Sequence, residues 1–145
     1  MKFPFRKTRT KELTLIEDFT DTIINDIEDP AFAVSQQNVM YTSVKELGGY
    51  FYLVTIIVGA FKIKTNKGAK LNITGANFEL ELNADMDEFE SDHTNVSNRF
   101  ITRIDFQIEE DDILKIDKSL IKTLTLSVKK HQISFIIVED DNTDD

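Results

Sequence analysis

The stretch from Tyr50 to Leu82 constrains the fold more than any other part of the chain. It reads YFYLVTIIVGAFKIK, then TNKG, then AKLNITGANFELEL. Two runs rich in β-branched and aromatic residues, separated by a glycine-containing turn, are the pattern of a β-hairpin. Asn66, Lys67 and Gly68 fit a three-residue loop with the glycine in the left-handed region. That register sets Ile63 opposite Leu71, Phe61 opposite Ile73 and Gly59 opposite Gly75. Beyond Gly75 the apolar phase slips by one residue, to Phe78, Leu80 and Leu82, which would turn that set to the other face. A β-bulge at Gly75-Ala76 restores the phase, with Ile57 opposite Phe78 and Leu53 opposite Leu82. The predicted core face holds Phe51, Leu53, Ile57, Phe61, Ile63, Leu71, Ile73, Phe78, Leu80 and Leu82.

The opposite face is unbalanced. The first strand presents Tyr50, Tyr52, Val54, Ile56, Val58 and Ala60, whereas the second presents Asn72, Thr74, Asn77, Glu79 and Glu81. A strand apolar on both sides needs a cover on both. An amphipathic helix at the N-terminus is one cover, and a partner subunit is the other. Tyr50, Tyr52, Val54, Ile56 and Val58 are therefore the candidate interface residues, because aromatic side chains are enriched in such surfaces.

The helix is legible in Leu13, Ile16, Ile23 and Ile27, which recur at spacings near 3.6 and are flanked by Phe19 and Ile24. Thr14 and Glu17 resemble a capping box, and Thr10 fits equally well as an earlier start. Pro30 ends the helix by Asp29. Asp26, Glu28 and Asp29 give its last turn the wrong sign for a helix C-terminus, so that end is expected to be solvated. Residues 30–47 fit either a short helix closed by Gly48-Gly49 or an extended segment. Further strands are expected around Phe100–Ile108, Leu124–Val128 and Ile133–Ile137, with a helical turn over 109–117. The expected fold is α+β: a mainly antiparallel sheet of five to six strands, curled into a sandwich or partial barrel, with the N-terminal helix packed on it. A chain of 145 residues without a linker or repeat reads as a single domain.

Charge narrows the partners. Residues 2–11 carry Lys2, Arg6, Lys7, Arg9 and Lys11 and no acid, while the rest of the chain carries 12 basic and 26 acidic residues. A body of that sign repels nucleic acid and anionic membranes, so neither is an expected partner. Residues 1–9 form a basic arm and 139–145 an acidic tail, both expected to be flexible. No cysteine is present, which excludes disulfides and thiolate chemistry. The longest apolar run, Tyr50 to Phe61, is too short to span a bilayer, and a cytoplasmic location is expected.

Candidate chemistry is thin. Asp85, Asp87, Glu90 and Asp92 offer closely spaced oxygens to a hard cation, but the segment lacks the central glycine of an EF-hand and has Val96 where a bidentate glutamate would stand. A solvated acidic loop is the plainer expectation. His93 and His131 lie in expected loops, and neither has a partner that would make it catalytic. Nucleotide-binding, nucleophile-elbow and zinc-protease motifs are absent. No catalytic residue, metal ligand or cofactor is therefore expected. The leading expectation is a non-catalytic binding or assembly protein that self-associates or binds a protein partner through its sheet and acidic surface. The alternatives are a cation-dependent hydrolase using residues 85–92 and a carrier of small apolar ligands.

Overall fold

The computed structural model describes residues 20–139. The basic arm, the capping box at Thr14 and Glu17, and the acidic tail beyond Glu139 lie outside the described residues. Residues 20–26 are helical, and the last helical hydrogen bond runs from the Ile27 amide to the Ile23 carbonyl.

Strands follow almost without interruption. They begin with β1 (Ala33–Val34), β2 (Asn38–Leu47), β3 (Tyr50–Gly59) and β4 (Lys64–Thr65). Next come β5 (Lys70–Gly75), β6 (Glu79–Asn83), β7 (Phe89–Glu90) and β8 (Asp92–His93). After β9 (Phe100–Ile108), a short 3-10 helix (Glu110–Lys115) leads to β10 (Ile121–Val128) and β11 (His131–Ile137). Nine strands form one antiparallel sheet in the order β6-β5-β10-β11-β1-β2-β3-β9-β8, and β4 pairs with β7 beside it. The main sheet is larger than the five to six strands expected from sequence, and it curls into a half-barrel. Its far members meet again where Ala84, just after β6, bridges to Phe106 of β9.

The hairpin expected over Tyr50–Leu82 does not form, because its two strands take other partners. Residues 30–47 are extended, and β2 pairs with β3 from Asn38↔Gly59 to Leu47↔Tyr50. Gly48 and Gly49 both have positive φ, 62° and 86°. A two-residue hairpin turn of the I′ kind requires that at both positions, so the pair is a turn and not a helix stop. On its other edge β3 pairs with β9. The predicted pairing of Tyr50–Gly59 with the strand after Gly68 is thus corrected. β2, joined by a two-residue loop, takes one edge of β3 and β9 takes the other, so no edge is left for β5.

Between β3 and β5 the chain breaks. The buried Asn38 side chain accepts a hydrogen bond from the Phe61 amide at 2.8 Å, and Ser91 Oγ accepts one from the Ile63 amide at 2.9 Å. Gly68 does adopt positive φ, 73°. The expected bulge at Gly75-Ala76 is instead the turn of a second hairpin, in which the Gly75 amide bonds to the Phe78 carbonyl at 2.9 Å. Leu71 faces Leu82 and Ile73 faces Leu80 across it. Directly opposed residues share a face, which is why the apolar phase slips at Gly75.

All ten residues of the predicted core face lie in the main core or pack against it. Phe106, Phe135, Leu124 and Leu126 complete it from β9, β10 and β11. A second, smaller core on the other side joins Ile23 to Val39, Tyr41 and Val58, with Ile24, Ile27 and Ile56 around them. The helix thus covers part of the second apolar face of β3. Its acidic end is not merely solvated, as expected: the buried Arg99 donates from Nη1 to Asp26 Oδ2 at 3.1 Å. That pair compensates the unfavourable charge and pins the helix to the start of β9.

Gly59, at the end of β3, and Gly49, in the β2–β3 turn, differ in how much a substitution should cost. A Cβ on Gly59 would run into the Gln37 carbonyl and Asn38, whereas one on Gly49 meets open space. Gly59→Ala should lower stability by about 3 kcal/mol and Gly49→Ala by only about 1 kcal/mol, read as shifts in urea midpoint at constant slope.

Candidate functional site

The outer face of the β2–β3–β9 ribbon has two halves. At the Gly59 end, Val39, Tyr41 and Val58 are buried beneath residues 20–26. At the Tyr50 end the same face is open. Of the predicted interface residues, Val54 and Val58 are buried and Ile56 is half-buried, whereas Tyr50 is 70% exposed and Tyr52 is half-buried. A polar network runs across the middle. Arg103 donates from Nε and Nη2 to the two oxygens of Asp105, at 3.0 and 3.2 Å. Lys45 approaches Asp105 at 3.6 Å and lies 5.8 Å from the centre of the Tyr52 ring.

The open half leads into a groove at the seam of the half-barrel. The bridge between Ala84 and Phe106 is reinforced by the Asp85 amide on the Asp105 carbonyl, 2.8 Å, and by Gln107 Nε2 on Asp85 Oδ1, 3.0 Å. Beyond it β6 and β9 have no further pairing among the described residues. A cavity of about 760 Å³ lies there, bounded by Leu80–Asn83 on one side and Gln107–Glu110 on the other. Tyr50, Phe51 and Tyr52 supply its aromatic wall. Glu81, Glu109, Glu110 and Asp112 give it negative charge. Glu81 is paired with Lys70 at 3.0 Å and Asp112 with Lys115 at 2.8 Å, whereas Glu109 and Glu110 have no ion-pair partner among the described residues.

The β6 edge facing the groove has no strand partner among the described residues. The Gly75 amide bonds to Phe78 and the Ala84 amide to Ala69. The antiparallel alternation therefore turns the backbone groups of residues 78, 80, 82 and 84 towards β5, and those of Glu79 and Glu81 outward.

The acidic segment does not converge. Glu90 pairs with Lys64 through β7 and β4, Asp92 lies in β8, and Asp85 is engaged by Gln107. Among the described residues no three acidic or histidine side chains come together in a way that would hold a metal ion. Both histidines sit in strands and not in loops, His93 in β8 and His131 in β11. His93 packs edge-on against Phe100, and His131 against Phe61. Residues 20–26 meet the sheet through the side chains of the second core. Among the described residues no helix is long and apolar enough to cross a membrane.

Sequence reasoning found Tyr50 and Tyr52 but missed Leu80–Asn83 and Gln107–Glu110. Their common position follows from the sheet order, and the only local signal was the run of acids after Ile108. No family model, curated protein or solved structure matches this chain.

Beneath the helix, Tyr41 Oη and Arg99 Nε are buried without a hydrogen-bond partner among the described residues. Burial, with Asp29 nearby, raises the Tyr41 hydroxyl above its ordinary value of 10.0. A pKa raised by folding contributes stability below the unfolded value and loses it as pH climbs from there through the folded value. Tyr41→Phe should therefore flatten the fall in stability above about pH 10. At neutral pH it should leave the protein as stable or more so, by up to about 1 kcal/mol, since an orphaned hydroxyl is removed. Denaturant titrations at neutral and alkaline pH check both.

Proposed function

We propose that this protein is a non-catalytic binding or assembly protein whose seam groove receives an extended, basic segment of a protein. The observation that carries the reading is the coincidence of three features in one cleft: an unpaired strand edge, an aromatic wall and a surplus of negative charge. Each suits a different part of such a ligand. Outward backbone groups of Glu79 and Glu81 take a strand by main-chain hydrogen bonding, the mode of β-augmentation. Tyr50 and Tyr52 offer faces to apolar or cationic side chains. Glu109 and Glu110 speed the encounter and fix its sign. The same charge disfavours nucleic acid and anionic lipid.

The test is calorimetric titration with a short peptide of alternating lysine and phenylalanine, matched against one with glutamate in place of lysine. The basic peptide should bind and the acidic one should not. Tyr50→Ala should weaken binding about tenfold, as loss of a central aromatic anchor does. Glu109→Gln with Glu110→Gln should weaken it by a few-fold and reduce its salt dependence. Equal binding of both peptides, or none of either, would sink the reading.

A further inference from the structure

Two strand edges face each other across the seam, and their register is already set. The bridge between Ala84 and Phe106 is antiparallel, and the Asp85 amide bonds to the Asp105 carbonyl. Carried away from that bridge, the same register sets Asn83 opposite Gln107, Leu82 opposite Ile108 and Glu81 opposite Glu109. Burial agrees with it on both strands. Leu82 and Ile108 are buried in the main core, whereas Asn83, Gln107, Glu81 and Glu109 are exposed. Directly opposed residues share a face, so closure in this register would leave each side chain on the face it already occupies.

The main chain agrees as well. The Asp105 carbonyl points to the β6 side, and alternation turns the backbone groups of Gln107 and Glu109 the same way. Those of Glu81 and Asn83 point out from β6 towards them. Glu109 stands just before the 3-10 helix with φ −78° and ψ 147°, an extended conformation. Asn83 with Gln107, and Glu81 with Glu109, are therefore positions at which an antiparallel pair exchanges two main-chain hydrogen bonds. The ladder nevertheless stops at the bridge, and the groove opens beyond it.

The side chains supply the reason. Closure would set Glu81 directly against Glu109, with Cα atoms about 5.5 Å apart, and like charges so placed are destabilising. Lys70, 3.0 Å from Glu81, offsets part of that charge. Glu79 on β6 and Glu110 after β9 add to it, while Lys115 is taken by Asp112 at 2.8 Å. Asn83 and Gln107 are neutral, so the repulsion is concentrated at the step between Glu81 and Glu109.

We infer that the seam is a charge-gated closure: repulsion between Glu81 and Glu109 holds the groove open, and without it β6 and β9 zip together in the register of the Ala84–Phe106 bridge. The inference rests on the reading of the groove as a site for a basic extended segment, and it supplies the regulation of that site. When zipped, the two edges satisfy each other and no strand can add to β6. When occupied, the edges are held apart, and a basic side chain between the two carboxylates replaces their repulsion with attraction. A ligand that binds only the open form draws the population to it.

The test is NMR of the free protein carrying Glu109→Lys, which makes the opposed pair attractive. Glu109 makes no capping hydrogen bond with its side chain, so the substitution removes none. The amides of residues 81, 83, 107 and 109 should exchange about tenfold more slowly than in wild type. An Hα–Hα contact between Leu82 and Ile108 should also appear, since residues of a non-hydrogen-bonded pair approach most closely. Glu110→Lys changes the net charge equally but lies outside the pair, and it should do neither. No protection and no contact in Glu109→Lys would overturn the inference, as would equal protection in Glu110→Lys. The lysine–phenylalanine peptide separates this result from the groove reading. Peptide binding to wild type without closure in Glu109→Lys defeats the closure and leaves the reading standing. Closure in Glu109→Lys without peptide binding to wild type defeats the reading and keeps the closure.

Discussion

The structure depends on burying β3 on both faces. Leu53 and Ile57 point into the half-barrel, and Val54 and Val58 point away from it, yet all four are buried. At about 1.5–3 kcal/mol for each fully buried aliphatic side chain, leaving either set in water would forfeit much of the marginal stability of a domain this size. Both edges of β3 are therefore paired, with β2 and β9; one face is covered by the curled sheet, and the other is covered at its Gly59 end by residues 20–26. The Arg99–Asp26 pair holds the second cover in place.

That arrangement also explains why the seam is open at one end. β9 cannot continue past Ile108, because Glu110, Asp111 and Asp112 start a 3-10 helix, where acids suit the partial positive charge of the first turn. β6 is short and ends at the bridge to β9. The strand edge and the acids thus meet beside the tyrosines for local reasons, and their meeting creates a surface that none of these elements forms alone. Unprotected edges invite pairing with another chain. Here charged residues flank the edge.

Which residues would be buried was legible, and which strands would touch was not. Alternation along Tyr50–Ile63 and Lys70–Leu82 identified the residues of the predicted core face, because side-chain period is a property of one strand. Pairing is a property of two. Gly48-Gly49 suits a helix stop or a hairpin turn, and the choice waits on whether residues 38–47 find an extended partner. Gly75-Ala76 suits a bulge or a turn, and the turn won because it lets Phe78, Leu80 and Leu82 regain the core without stretching the ladder. Tyr50 was visible as an exposed aromatic position, whereas Leu80–Asn83 gave no sign of standing near it.

By itself the sequence determined the β-rich class, the core face of β3, β5 and β6, the positive φ at Gly68 and the segregation of basic charge into residues 2–11. These follow from local rules: side-chain period, the steric freedom of glycine and the count of charges. Only the tertiary structure decided that β3 pairs with β2 and β9, that Arg99 reaches Asp26, and that Tyr50, the β6 edge and Glu109–Glu110 share one groove. Those contacts join residues up to 73 positions apart. The closure of the sheet sets them, and no local pattern along the chain records that closure.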